Sequence, residues 1–133
     1  MIKTDIDIKD DLYAWVALCP VAGLISGRVY KDQRPLNSDK EDIVISILSG
    51  SGKQMQEVTA NVNIFVPDIR RGNDMIEDTA RLKVLCAQAA SDLDYAHFGD
   101  RIFELEHQRV YEVNGLEWHA INNRIRVRYN NES

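Results

Sequence analysis

The sequence predicts an α+β domain: a mainly antiparallel sheet of four to five strands packed by two helices, in the order α-β-β-β-α-β-β. Three observations carry this. Ile8, Leu12, Trp15 and Val16 recur at spacings of three and four, the period of a helix with one apolar stripe. Val58, Ala60, Val62, Ile64 and Val66 alternate with Glu57, Thr59, Asn61 and Asn63, the period of a strand with one packed and one wet face. Asn114-Gly115 lies between two long alternating runs, which is the strongest short-range hairpin signal.

The first helix is expected over Asp5–Leu18, with Asp5 or Asp7 as its cap, Leu18 and Cys19 close to its stripe, and Pro20 limiting its end. Ala22–Gly27 is a small-residue connector. A short strand, Arg28–Tyr30, leads into a polar loop, Lys31–Asp42, that contains Pro35. Ile43–Leu48 is β-branched and apolar on both faces, which places it centrally in the sheet. It joins the strand Met55–Val66 through Ser49-Gly50-Ser51-Gly52-Lys53, a Gly/Ser cluster of the kind that turns a hairpin. Pro67–Asn73 reads as a turn-rich connector. Asp74 is expected to cap a second helix running to about Leu93, with a stripe of Ile76, Ala80, Val84 and Ala87 widened by Leu82, Leu85 and Ala89. Asp94–Asp100 reads as a loop, and Arg101–Val113 with Glu117–Tyr129 as the closing hairpin. The whole of 1–133 is read as one domain with loose ends at about 1–4 and 130–133.

The register of that hairpin is constrained by its faces. A tight turn at Asn114-Gly115 pairs Tyr111 with Trp118 and, continued, sets Leu105 opposite Arg124 and Phe103 opposite Arg126. A shift of one residue instead sets Glu106 opposite Arg124, Leu105 opposite Ile125, Glu104 opposite Arg126 and Phe103 opposite Val127. One slip exchanges the two faces of a strand, so burial selects the second register. A three-residue turn, or a bulge at Asn122–Asn123, is expected to supply the shift. Arg124, Arg126 and Arg128 then form a comb on the wet face beside the glutamates.

At 133 residues with 44% hydrophobic content, the chain can bury a real core. A net charge of −5 argues against a general nucleic-acid binder, which needs a basic footprint. No apolar run approaches the roughly 18 residues of a membrane span. MIKTDIDIKDD has no apolar core of a secretory signal, so none is expected. Cys19 and Cys86 sit in apolar helical contexts and read as buried, reduced thiols.

Chemical motifs fail in detail. SGSGKQ at Ser49–Gln54 is similar to a phosphate-binding loop, but Ile47 and Gln54 stand where that loop needs Gly and Ser or Thr, and a strand follows. His97, His107 and His119 match no zinc spacing, although His107 and His119 lie on opposite arms of one hairpin. Ser49-Gly50-Ser51-Gly52 lacks the outer glycine of a nucleophile elbow. Asp10-Asp11 and Asp39–Asp42 read as solvated faces. No catalytic, cofactor-binding or metal residues are assigned. Arg70-Arg71 at a turn, the Arg124–Arg128 comb, and Tyr111 with Trp118 near a hairpin tip are candidate contact residues, since exposed Arg and aromatic side chains favour interfaces.

The order of elements, with Arg28-Val29-Tyr30, Pro35 after a polar gap, the strand Ile43–Leu48 and the strand Val58–Val66 leading into a helix, resembles the tail terminator, or tail completion, proteins of long-tailed bacteriophages and prophages. The resemblance runs from about Asp5 to Tyr129. The stretch between Pro35 and Ile43 is longer and more charged than that pattern. The resemblance implies a non-enzymatic structural protein without cofactor. It implies self-association as a ring, a hexamer as the usual case, and partners in the tail tube protein and the head-completion or connector protein, with no specific nucleic-acid or membrane partner. It places the chain in the host cytoplasm during assembly and then in the virion. Arg34, Asp39, Lys40, Arg70, Arg71, Trp118, Arg124, Arg126 and Arg128 are the expected interface residues, on the loops Lys31–Asp42 and Pro67–Asn73 and on the comb. The alternatives are a head-completion or connector protein, a small ligand-binding or enzymatic domain with a pocket under the 31–42 loop, and an acidic module that neutralises a basic protein.

Overall fold

The computed structural model describes residues 4–50 and 57–129. The expected loose ends, apart from Thr4, and most of the Ser49–Gln54 connection lie outside these residues. Helix α1, Asp5–Leu18, buries Ile8, Leu12, Trp15 and Val16, as its period demands. Its cap is Thr4, one residue ahead of the expected aspartates. The Thr4 hydroxyl accepts from the Asp7 amide while the Asp7 carboxylate accepts from the Thr4 amide, so two otherwise unpaired donors are satisfied reciprocally. Leu18 is 87% exposed and lies off the buried stripe. A five-residue helix, α2 (Pro20–Leu24), follows Cys19, with Pro in its first turn where no amide is required.

Five strands come next. β1 is Val29–Lys31, β2 Ile43–Gly50 and β3 Glu57–Pro67. β4 (Ile69–Arg71) and β5 (Asp74–Ile76) pair only with each other. Helix α3, Thr79–Asp92, precedes β6 (Tyr95–Phe98), β7 (Arg101–Glu112) and β8 (Trp118–Tyr129). The main sheet runs β1-β2-β3-β8-β7-β6 and is antiparallel except for β1 with β2. The α+β class with a mainly antiparallel sheet therefore holds. The strand count and element order do not: among the described residues the sheet has six strands, a separate two-stranded ribbon exists, and there are three helices.

Two of these differences, the ribbon and the added strand β6, share one cause: a two-residue hairpin lies where a loop is expected. Gly72-Asn73, with Gly72 at φ 64°, turns β4 into β5 inside the expected Pro67–Asn73 connector. Gly99-Asp100, with Gly99 at φ 57°, turns β6 into β7 inside the expected Asp94–Asp100 loop. Both dipeptides are hairpin signals, but the strands beside them are too short to show a period. Because β5 occupies Asp74–Ile76, the cap of α3 is Asp78, whose carboxylate accepts from the Arg81 amide. The expected stripe is also rotated. Leu82, Leu85 and Ala89 face the core, whereas Ala80, Val84 and Ala87 are exposed. Two overlapping apolar series run along α3, and packing selects the one carrying both leucines.

The helices cover one face of the sheet. α1 lies over β1 and β2, α3 over β7 and β8, and α2 bridges them. Val58, Ala60, Val62, Ile64 and Val66 of β3 meet this layer and are all buried. The Trp15 ring stacks on Phe103 at 4.6 Å between centroids. Ile43, Val44 and Ile45 are buried on both faces, although β2 is next to the edge strand β1 rather than in the middle. Asn123 is a polar exception in this core. Its amide donates to the Val62 carbonyl at 3.0 Å, and its oxygen accepts from Gln108, whose amide also reaches the Cys86 carbonyl of α3. The chain β3–β8–β7–α3 is thus tied by one buried polar relay.

The β7–β8 register is as the faces require near its open end: Phe103 opposes Val127, Glu104 opposes Arg126 and Leu105 opposes Ile125. Arg124 opposes His107 instead of Glu106. The shift has two parts. The turn is wider than two residues, with Glu112 opposite His119 and Gly115 at φ 76°. A bulge between Leu105 and His107 then takes back one residue, on β7 and not at Asn122–Asn123. His107 and His119 do not meet.

Replacing Asn123 with Ala leaves the Val62 carbonyl and the Gln108 amide without their buried partner. The expected loss is about 1–3 kcal/mol, read from the urea midpoint at unchanged m-value. A midpoint equal to that of the wild type would show that the relay does not hold the layers together.

Candidate functional site

The parallel pairing of β1 and β2 makes the 32–42 segment a crossover. Val29 lies beside Ile43 and Lys31 beside Ile45, so the chain leaves β1 at one end and must return to the other. No helix makes this return. The loop starts at Asp32, a non-glycine residue at φ 66° whose carboxylate pairs with Lys9 of α1, and then runs over the helix-free face of the sheet. Lys31 pairs with Asp10 of α1 beside it.

Buried carboxylates hold the returning end. Asp42 is 1% exposed; its side chain accepts from the Arg28 amide and from the Ser38 hydroxyl. Glu41 accepts from the Ser26 amide and takes two hydrogen bonds from the Arg81 guanidinium of α3, at 2.7 and 2.8 Å. The Glu41 backbone completes the stitch, donating to the Ser26 hydroxyl and accepting from the Gly27 amide. The Arg81 hydrogen bonds hold the Glu41 carboxyl below its ordinary pKa against the opposing effect of burial. Asp39 and Lys40 are exposed as expected, but Glu41 and Asp42 are not part of a solvated face. Sequence spacing could not separate them, because what buries them is Ser26–Arg28, fourteen or so residues away.

Gly27 sits where the crossing leaves no room for a side chain, whereas Gly23, Gly72, Gly99 and Gly115 have open space around them. A Cβ there would sit 1.9 Å from the Asp42 carboxylate and 2.4 Å from the Glu41 carbonyl.

The middle of the loop is fastened by Arg34. Its guanidinium lies 4.0 Å from the Trp118 ring centroid and 4.8 Å from that of Phe65, donates to the Ser38 carbonyl, and faces Asp42 at 3.8 Å. Burial lowers its pKa, and Asp42 opposes that shift. Two expected contact residues, Arg34 and Trp118, are therefore brought together by the loop's own closure. The fastening leaves Leu36 at the loop's crest, 99% exposed. An open groove of about 680 Å³ separates the loop from Ser26–Tyr30.

The other expected residues stay apart. Arg70 and Arg71 are exposed on the β4–β5 ribbon, which stands off the body beyond Asp68, itself anchored to His119 at 2.7 Å. Arg126 pairs with Glu106 and Glu57, and Arg128 with Glu104. Among the described residues Arg124 has no such partner. Both thiols are free and half-buried; burial, with Asp92 nearby, pushes Cys19 up to about 11, and burial raises Cys86, which suits neither as a nucleophile at neutral pH. Among the described residues no three His, Cys, Asp or Glu side chains form a metal-binding group. No helix among them is long and apolar enough to cross a membrane. No protein-family model matches the chain, and no curated protein matches it.

Two outcomes are expected. Gly27→Ala forces the carboxylate clamp apart and should cost about 3 kcal/mol, seen as a lowered thermal midpoint; an unchanged midpoint would show that the crossing is loose. Glu41 has a folded pKa below its ordinary 4.5. Its stabilising contribution is therefore complete above that pH and is lost as acid carries it through the folded pKa. Glu41→Gln should be less stable than the wild type at neutral pH by about 1.5–3 kcal/mol, with the gap closing below pH 4.5. A gap independent of pH would remove the ionised pair as its cause.

Proposed function

We propose that this chain is a non-enzymatic structural protein of a phage or prophage, a tail terminator that assembles as a ring on the finished tail tube and forms the surface for head joining. The observation that carries the reading is the β4–β5 ribbon. A two-stranded ribbon is marginal in water by itself, yet this one projects from the body with Arg70 and Arg71 exposed and Ile69 44% exposed. Such an arm has a physical purpose when a neighbouring subunit covers it. The resemblance carried by Arg28-Val29-Tyr30, Pro35 and the two following strands supports the same reading.

Two further features suit assembly. The loop 31–42 is held as a fixed projection by Glu41, Asp42 and Arg34, so ordering it on contact costs little further entropy. The edge strand β6 presents Tyr95 and Phe98, each about half exposed, and carries no Lys, Glu or Pro to guard it. A ring requires a heterologous interface, with different surfaces of each copy meeting. Arm and loop on one side and an open edge on another meet that requirement. Partners in this reading are other copies, the tube protein and the connector; the enzymatic and ligand-binding alternatives would centre on the groove under the loop.

The test is electron microscopy of particles after deletion of the gene, complemented with wild type or with Arg70→Glu/Arg71→Glu. Tails of excessive, uncontrolled length, restored by the wild type and not by the folded double variant, are expected. Normal-length tails beside unjoined heads would assign the head-completion role. Intact infectious particles would overturn the structural reading.

A further inference from the structure

The sheet ends at β6 in an open backbone edge, and the helix-covered side of that edge is an apolar groove. The Leu105 amide donates to the Asp94 carbonyl, and in the same register Ala96 opposes Phe103 and Phe98 opposes Arg101. In an antiparallel ladder these alternate residues bond to the partner strand, and the residues between them point away from it. The amides and carbonyls of Tyr95 and His97 therefore point outward, with no strand beyond them among the described residues. Ala96 and Phe98 share the side of Phe103, and the Phe98 ring stands 6.3 Å from the Phe103 ring. There a groove of about 430 Å³ is lined by Ala14, Trp15, Leu18, Phe98 and Phe103. The cation in its lining, Arg101, already faces Asp11 and Asp100. A free edge beside an apolar groove suits an added strand, whose backbone bonds hold it while alternate side chains fill the groove.

We infer that β4 of a second copy adds antiparallel to this edge. Arg71 and Asp74 flank the two-residue turn of the ribbon, so Ile69 and Arg71 bond to β5 and Arg70 alone points its amide and carbonyl outward from β4. Outward residues pair with outward residues in an antiparallel addition, so Arg70 opposes His97 or Tyr95. In both registers the exposed Ile69 comes over the groove, opposite Phe98 or Ala96. Arg71 comes opposite Ala96 or Asp94, and Asp94 is exposed and makes no ion pair among the described residues. Charge complementarity selects β4. The other ribbon strand, β5, has no cation for Asp94, and the same addition would set Asp74 over the apolar groove. The occupant is a second copy because the arm and the edge lie at opposite ends of the sheet. β4 follows Pro67, which pairs with Trp118, and its root is pinned there by Asp68 on His119. β6 lies beside the stretch of β7 that pairs with Arg126 to Tyr129. From Trp118 to Arg126 is about 26 Å of strand, more than the ribbon spans. Different surfaces of the two copies meet, as a ring requires. The contact deepens the ring reading and rests on it for closure.

Sedimentation velocity of the purified full chain tests it. The wild type is expected to self-associate as its concentration rises. Arg71→Asp and Asp94→Arg each turn an attraction into a repulsion and should each weaken self-association about tenfold. The chain carrying both reversals should regain it, which a merely structural role for either residue would not produce. His97→Pro removes an outward amide that β7 does not use and should be monomeric, whereas His97→Ala should associate like the wild type. Near-UV circular dichroism checks that each variant is folded. A wild type that stays monomeric, a doubly reversed chain no better than the single variants, or a folded His97→Pro variant that still associates would overturn the contact. Association lost in His97→Pro but untouched by Arg71→Asp would give the edge to another segment and overturn the assignment of β4. Tail length after gene deletion does not depend on any of these results, so failure here and failure of the terminator reading are separable.

Discussion

The buried carboxylates at Glu41 and Asp42 are the constraint on which the rest of this structure depends. A parallel strand pair without a crossover helix forces an irregular segment across the sheet, and such a segment has backbone groups to satisfy and entropy to lose. Asp42 and Glu41 resolve both at once. They accept the amides of Ser26 and Arg28, which place β1, and they take the guanidinium of Arg81, which ties α3 to the same crossing. The absence of a side chain at Gly27 lets the two segments approach closely enough for this to happen. Arg34, Trp118 and Phe65 then close the loop over the far side of the sheet. One stitched crossing therefore sets the position of an edge strand, a helix and a projecting loop.

The sheet is divided sharply by layer. Its covered face is apolar, with Asn123 as a satisfied polar relay, while its bare face carries arginines, glutamates and asparagines. A single bulged residue alters the balance of that bare face. Cross-strand charge pairs contribute only about 0.2–1 kcal/mol each, so the bulge matters little for stability. Its effect is on charge pairing, because it sets Glu106 beside Arg126 and leaves His107, not a glutamate, opposite Arg124.

How legible this was depended on length and on distance. Helix α1, the alternation of β3 and the near-end register of β7–β8 followed from patterns repeated over ten or more residues. The ribbon β4–β5 and the strand β6 are too short to repeat, and their Gly-Asn and Gly-Asp turns were the sole local signals. The face of α3 was ambiguous between two apolar series until a sheet was there to pack against. Of the contact residues, Arg70, Arg71, Asp39 and Lys40 were correctly read as exposed. The Arg34–Trp118 stack and the Glu41–Arg81 pair were not legible, since each joins residues 40 or more positions apart.

By itself the sequence determined the α+β class, the apolar faces of the long elements and the acidic balance of the surface, because periodicity and composition are local properties of the chain. Only the tertiary structure decided that β1 runs parallel to β2, that two apparently solvated carboxylates are buried clamps, and that Arg124 and Arg109 stand without counter-charges among the described residues. Each of those depends on which distant backbone closes over a given side chain, and burial of that kind changes a charge from a solvated group to a structural or recognising one.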